Sequence, residues 1–141
     1  MKLLARREHS QRELMVKLER QGFKREAIEN ALEELQMKGL QSDARFAESY
    51  MQSRMARGFG PRRIAAELRE RGVDSEGAET ALWSGNADWT EVAREAWRKK
   101  FRQGAGRSTA ERARQIRYLE YRGFTHEQIR AVLDRSDPED S

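Results

Sequence analysis

The chain has 141 residues, of which 37% are charged and 37% hydrophobic, and its 28 Lys and Arg against 24 Asp and Glu leave a formal charge of +4. This length suits about one domain, and interleaved charges of both signs favour solvent-exposed helices over a disordered chain. The absence of cysteine excludes disulfides, thiol nucleophiles, thiolate zinc sites and iron–sulfur clusters. No apolar run is long enough for a membrane span or a secretory signal, so we expect a cytoplasmic protein without membrane contact.

A helical pattern recurs three times along the chain. Three stretches align around Gly22, Gly72 and Gly123, which are 50 and 51 positions apart. Leucine lies four residues before each glycine, an apolar residue one after it, glutamate four after it and leucine ten after it. Matched spacing around a fixed glycine indicates a repeated helix, turn and helix, because glycine readily adopts the left-handed conformation that ends a helix.

Capping residues predict where the helices begin. Ser10 and Ser108 each stand three residues before a glutamate, as in a capping box, and Pro61 follows Gly60 at a first helical position. Further caps are expected at Ser42, Asp74, Asp88 and Thr125. The caps at positions 42 and 88 give the first two repeats a third helix.

We therefore predict an all-α fold of tandem three-helix repeats, three in number with the last one truncated, that form an elongated, curved array. The repeats are assigned to residues 1–57, 58–104 and 105–135, and residues 136–141 to an acidic disordered end. About 50 residues bury too little surface for independent stability, so neighbouring repeats are expected to share buried faces.

The positive excess lies late in the chain, because residues 94–141 carry 12 basic and 8 acidic side chains whereas residues 1–93 carry 16 of each. In the helix after Asp88, one arc is expected to pack in the core: Trp89, Val92, Ala93, Ala96, Trp97 and Phe101. The opposite side carries a stripe of Arg94, Arg98 and Arg102. The stripe is either a solvated face or a contact for phosphate or an acidic partner.

Seven further contact candidates lie elsewhere: Arg57, Arg62, Arg69, Arg114, Arg117, Tyr118 and Tyr121. The last four are expected on the outside of a helix that buries Ala113, Ile116 and Leu119. Arginine beside exposed aromatic side chains is typical of a nucleic-acid or protein interface. The alternative is that both tyrosines pack on a neighbouring turn.

Residues for catalysis are not found. The two histidines, His9 and His126, fall at non-equivalent places in the repeats and outside any metal-binding spacing, so we interpret them as surface or capping residues. The glycine-containing stretch 58–61 lacks the pattern of a dinucleotide or phosphate loop, and we interpret it as a connection. We expect no catalytic, cofactor-binding or metal-binding residues, and no enzyme.

A long motif spans residues 43–73 and includes Phe46, Gly60, Pro61, Ile64, Leu68 and Gly72. It closely resembles the signature of the RecX family, bacterial modulators of the RecA recombinase. The resemblance continues upstream through residues 3–10 and 13–14 and downstream through residues 89–101 and 122–124, so it covers nearly the whole chain. We interpret the motif residues as builders of the fold and assign them no binding role.

The resemblance implies a partner, the RecA filament on DNA. RecX-like proteins are thought to lie in the groove of that filament and to suppress ATP hydrolysis, strand exchange and coprotease activity, which modulates recombination, DNA repair and the SOS response. We expect a monomer without cofactor that makes at most weak contact with single- or double-stranded DNA. Many relatives carry a longer leader, so a contact made by such a leader is expected to be missing.

The alternative function, which rests on the residues alone, is a helical protein that binds nucleic acid directly through its basic helix faces.

Overall fold

The computed structural model describes residues 7–135, apart from the side chain of residue 135, and this range contains eight helices and no strand. The helices are α1 (Gln11–Arg20), α2 (Arg25–Met37), α3 (Asp43–Ala56), α4 (Pro61–Glu70), α5 (Ser75–Trp83), α6 (Trp89–Lys100), α7 (Thr109–Arg122) and α8 (His126–Arg135). The predicted all-α fold is confirmed. The predicted acidic end at 136–141 and the start of the N-terminal family element, residues 3–6, lie outside the described residues.

The threefold repeat is visible in three helix pairs: α1 with α2, α4 with α5, and α7 with α8. The glycine between each pair has positive φ, 91° at Gly22, 92° at Gly72 and 102° at Gly123. In each turn the residue after the glycine donates its N–H to the carbonyl of the leucine five positions earlier, over 3.0 to 3.2 Å. This closure is the Schellman motif, and it makes the three turns equivalent.

The predicted helix caps are confirmed. Each cap side chain accepts the backbone N–H three residues on, over 2.7 to 3.2 Å, at Ser10, Ser42, Asp74, Asp88, Ser108 and Thr125. At Ser10 the capping box is complete, because the Ser10 N–H also donates to Glu13 Oε1 over 3.1 Å. At the other predicted box, Glu111 instead accepts the N–H of Arg107.

Within the described residues the helices separate into two compact units, with boundaries inside α3 and α4. Unit 1 contains residues 7–51 and 67–84, and unit 2 contains residues 52–66 and 85–135. The core between α1 and α2 of unit 1 consists of Leu14, Ile28, Leu32 and Leu35. The same unit also buries Phe46, Ala47, Met51, Leu68, Val73, Ala78 and Leu82.

The core of unit 2 joins α6 to α7 and α8, and its members are Ala93, Ala96, Trp97, Leu119, Phe124, Ile129, Val132 and Leu133. Trp89 is buried as well, and Val92 and Phe101 pack against this core while staying partly exposed. The predicted aromatic arc of α6 is therefore confirmed as core.

A polar residue, Gln115, also lies in this part of unit 2. Its Oε1 accepts hydrogen bonds from Trp97 Nε1 over 3.1 Å and from the Gly106 N–H over 3.2 Å, and its Nε2 donates to the Gly104 carbonyl over 3.0 Å. One amide thus fixes the connection between α6 and α7, where no regular helix supplies backbone partners.

The connection before α4 packs directly on the turn after α7, within unit 2. The Gly60 N–H donates to the Arg122 carbonyl over 2.7 Å, and the Arg62 N–H donates to the Gly123 carbonyl over 2.9 Å. A β-carbon at position 60 would lie 2.5 Å from the carbonyl carbon of Gly123. Glycine is needed at position 60 because the two backbones approach too closely for any side chain.

Candidate partner interface

The arginine stripe of α6 is only partly exposed. Arg98 and Arg102 are exposed, and Arg98 Nη1 lies 3.6 Å from Glu95 and 3.8 Å from Glu91. The Arg94 side chain is only 16% exposed, with its Nη1 2.5 Å from Glu91 Oε2. The expectation that Arg94 faces solvent on this stripe is therefore wrong, because the side chain is largely enclosed and held by a carboxylate one turn earlier. Arg98 and Arg102 stay available to a partner.

The basic and aromatic face of α7 is also only partly exposed. Arg114 and Arg117 are exposed, and Tyr121 keeps 69% of its surface. Tyr118 is half-buried and packs edge-on against Phe101, with ring centroids 5.5 Å apart at an angle of 87°. The expectation of an outward-facing side chain is wrong for Tyr118, which adds to the core instead, and correct for Tyr121.

Sequence reasoning missed a cluster of arginines around Phe59, in the stretch interpreted only as a connection. The guanidinium carbons of Arg54 and Arg122 each lie 3.9 Å from the Phe59 ring centroid, and that of Arg63 lies 4.4 Å away. The Arg63 guanidinium is also 5.0 Å from the centroid of the Tyr121 ring. Each such cation–π contact contributes about 0.5 to 2 kcal/mol. The available signal was a phenylalanine between two glycines, flanked by arginine-rich helices.

The other three candidates, Arg57, Arg62 and Arg69, are exposed. Arg57 also borders a hollow of about 570 Å³ in unit 2, and its carbonyl accepts a hydrogen bond from Arg122 Nη2. The charged side chains lining the hollow are of both signs: Arg57, Lys99, Arg122, Asp88, Glu91 and Glu95. This balance gives the hollow no preference for an anion over a cation.

His9 is buried, with 6% of its surface exposed, so its interpretation as a surface or capping residue is wrong. Its Nδ1 lies 3.1 Å from the Arg7 carbonyl oxygen. Two long-range hydrogen bonds hold this segment in unit 1, one from Gln41 Nε2 to the His9 carbonyl over 3.3 Å and one from Ser10 Oγ to the Arg71 carbonyl over 2.8 Å. His126, by contrast, is exposed at the start of α8.

Neither a metal-binding cluster nor a membrane-spanning helix occurs within residues 7–135. No group of three or more His, Cys, Asp or Glu side chains in this range is placed to hold a metal ion. None of the helices in this range combines the length and apolarity that a bilayer crossing requires.

Three family models match consecutive parts of the chain. They describe the first three-helix domain of RecX at residues 1–35, the second at 42–82 and the third at 87–133. The second model contains α3 to α5 and the third contains α6 to α8, so these domains begin at a different helix from the repeats assigned by sequence period. A repeating pattern has no unique first helix, and the boundaries after residues 57 and 104 stay a prediction.

Individual relatives agree with the models. A protein named Regulatory protein RecX from Chromohalobacter salexigens is 46% identical over 132 residues, covering 94% of this chain and 86% of the relative. One of the same name from Halorhodospira halophila is 41% identical over 140 residues, covering 99% and 87%. The crystal structure of RecX from Lactobacillus salivarius has the same fold, with a TM-score of 0.79 at 21% identity over 96% of this chain and 90% of that one. The chain therefore belongs to the RecX family of regulatory proteins.

Proposed function

We propose that this chain binds the RecA filament on DNA and inhibits its ATP hydrolysis, strand exchange and coprotease activity, and so modulates recombination, DNA repair and the SOS response. The observation that carries the proposal is the ordered match of all three RecX domains along one chain. The resemblance to RecX supplies the partner. The chain would act as a cytoplasmic monomer with no catalytic activity of its own.

The proposed mechanism is steric and electrostatic. ATP turnover in a filament requires neighbouring subunits to change their relative geometry, and a ligand that binds one geometry better shifts the population toward it. Consecutive helical repeats that contact two subunits at once would make the second contact intramolecular, which raises the effective affinity. Inhibition then needs no chemical step by the bound protein.

The exposed cations and Tyr121 are proposed to make the contact. On unit 2 these are Arg98 and Arg102, at and just beyond the end of α6, and Arg114, Arg117 and Tyr121 on α7. Arg57, Arg62 and Arg69 are exposed and stay in the proposed set. Arg94 pairs with Glu91 and Tyr118 packs on Phe101, so we propose that these two side chains hold neighbouring residues in place and do not contact the partner directly. Because arginine forms charge-assisted hydrogen bonds with carboxylates and phosphates, binding is expected to weaken as salt rises.

The test follows ATP hydrolysis by RecA already assembled on single-stranded DNA. We expect the chain to suppress hydrolysis at concentrations far below that of nucleotide. Reversing two exposed charges, Arg98→Glu with Arg102→Glu, should weaken the inhibition. The matched control, Lys24→Glu with Arg25→Glu, makes the same charge change at exposed positions before and in α2 and should inhibit like the unaltered chain.

Two outcomes would overturn parts of this proposal. No effect on hydrolysis, or an effect abolished by excess DNA, would favour the alternative of direct nucleic-acid binding. Equal inhibition by the Arg98 and Arg102 variant, with unchanged helicity, would show that these two side chains form an ordinary solvated face and do not contact the partner.

A further inference from the structure

A groove of about 270 Å³ lies between α7 and α8 in unit 2. Its lining consists of two residues of α7 and four of α8: Arg112, Ile116, His126, Ile129, Arg130 and Leu133. The groove therefore has an apolar floor and basic edges, and none of these lining side chains is a carboxylate. Its excess of positive charge distinguishes it from the larger hollow of unit 2, in which charges of both signs are balanced.

The basic edges of the groove differ in how far they are already paired. Arg112 Nη2 lies 2.6 Å from Asp134 Oδ1, and the two side chains are 38% and 53% exposed. Arg130 and His126 are exposed, and neither side chain forms an ion pair or a hydrogen bond with another residue between positions 7 and 135. The groove thus presents basic side chains to solvent beside Ile116, which is itself partly exposed.

The segment that follows α8 has the complementary composition. Residues 136–141 read Ser-Asp-Pro-Glu-Asp-Ser, with three carboxylates, one proline and no basic side chain. Because α8 ends at Arg135 and Leu133 lines the groove, the segment starts beside the groove. The start and the end of α8 are about 14 Å apart at about 1.5 Å per residue, whereas six extended residues span about 20 Å. The segment is therefore long enough to run back along the whole groove.

We propose that residues 136–141 bind in this groove and mask its basic side chains from other ligands. Proline favours an extended conformation in the residue before it, and an extended segment that runs back along α8 brings Pro138 to the level of Ile129. Glu139 and Asp140 then reach the level of His126. An acidic segment of a partner must displace residues 136–141 before it can bind this groove, so the chain carries its own competitor for the surface. The inference goes beyond the proposed function because the contact lies within the chain and needs no recombinase.

Disulfide trapping tests the contact, because the chain has no cysteine and two introduced thiols have only each other as protein partners. The trap variant combines His126→Cys with Ser141→Cys. The control variant combines Tyr121→Cys with Ser141→Cys, since Tyr121 is 69% exposed on the same helix pair but does not line the groove. In a glutathione redox buffer the trap pair should close about tenfold faster than the control pair or more, because docking raises the effective concentration of the segment at the groove.

Charge neutralisation tests the proposed cause of docking. The neutralised variant adds to the trap variant the loss of all three carboxylates of the segment: Asp137→Asn, Glu139→Gln and Asp140→Asn. Its closing rate should fall to that of the control pair, and so should the rate of the trap variant in about 1 M salt, which shortens the screening length to about 3 Å. The matched control removes three exposed carboxylates of α2 in unit 1 and should leave the rate of the trap variant unchanged: Glu26→Gln, Glu29→Gln and Glu33→Gln.

Three results would overturn the proposal: equal closing rates for the trap and control pairs, an undiminished rate in the neutralised variant, or a disulfide that joins two copies of the chain at every protein concentration. Circular dichroism checks that the helices are intact. If His126→Cys loses helicity, Glu127→Cys at the next position, also exposed, takes its place with the same expected difference in rate. Inhibition of RecA hydrolysis is judged separately, because none of these measurements includes RecA.

Discussion

At the scale of single residues, the side-chain amide of Gln115 makes more hydrogen bonds than its place in the sequence suggests. It binds the Trp97 indole N–H, the Gly106 N–H and the Gly104 carbonyl. Its position in the helical pattern was compatible with the core, but a glutamine among arginines gave no signal of three specific partners. Those partners come from a connection whose course the sequence did not predict.

Replacing Gln115 by Leu should destabilise the protein by about 2 to 4 kcal/mol, because three polar groups lose their partner in a region where water has limited access. Thermal or denaturant unfolding measures the change. The control Gln103→Leu alters an exposed glutamine in the same connection and should stay within about 0.5 kcal/mol of the unaltered chain. Equal midpoints for the two variants would contradict the structural role of Gln115.

His9 should make stability depend on pH. Burial, followed by the positive charge of Arg7, lowers the pKa of His9 below its ordinary value of 6.5. The folded state therefore favours the neutral imidazole, so its contribution is complete above pH 6.5 and is lost as pH falls through the lowered pKa. Glu13 and Lys17 also act on this ring, Glu13 raising and Lys17 lowering its pKa.

The measurement is the free energy of unfolding between about pH 7 and about pH 5. Glu13 stays ionised in this window because hydrogen bonds from Arg7 and the Ser10 N–H outweigh the opposing effect of burial and lower its pKa below 4.5. His9→Gln should flatten the loss of stability with falling pH, whereas His126→Gln, at an exposed position, should preserve it. An unchanged slope in His9→Gln would show that this ring does not titrate as the structure implies.

At the scale of elements, the helix starts and the glycine turns were predictable because their causes are local. A cap needs only a side-chain oxygen and a backbone N–H three residues on, and the glycine conformation needs no distant partner. The direction of Arg94 and Tyr118 was not predictable, because it depends on Glu91 one turn away and on the Phe101 ring contributed by α6. Helical periodicity predicts which side chains share a face of the helix, but it does not predict which residues of other elements pack against that face.

Two serine caps should differ in their contribution to stability for a long-range reason. Ser10 is fully buried and donates its hydroxyl to the Arg71 carbonyl as well as capping α1, whereas Ser108 caps α7 at an exposed position. Ser108→Ala should cost about 1 kcal/mol, a typical value for a lost cap. Ser10→Ala should cost about 1 to 3 kcal/mol more, because it also leaves a carbonyl unpaired. Equal losses in denaturant unfolding would contradict this assignment.

At the scale of the whole molecule, the family and the all-α class followed from the sequence, because the motif at residues 43–73 and the glycine period are long and regular. The distribution of charge over the protein surface did not follow from the sequence. Counting by segment placed the positive excess after residue 93, whereas the fold of unit 1 brings five cations to the lining of one cleft: Arg7, Arg12, Lys17, Arg20 and Arg71. Charge along a chain does not predict charge on a surface when separate segments contribute to one site.

The central claim, that this chain binds the RecA filament, is tested most directly by co-sedimentation. RecA is assembled on single-stranded DNA with a non-hydrolysable ATP analogue, and the filaments are pelleted at a speed that leaves free DNA and free chain in solution. We predict that the unaltered chain pellets with the filaments, and that the variant Arg98→Glu with Arg102→Glu pellets less, since these exposed cations are in the proposed contact. A chain that stays in the supernatant at every filament concentration would contradict the claim.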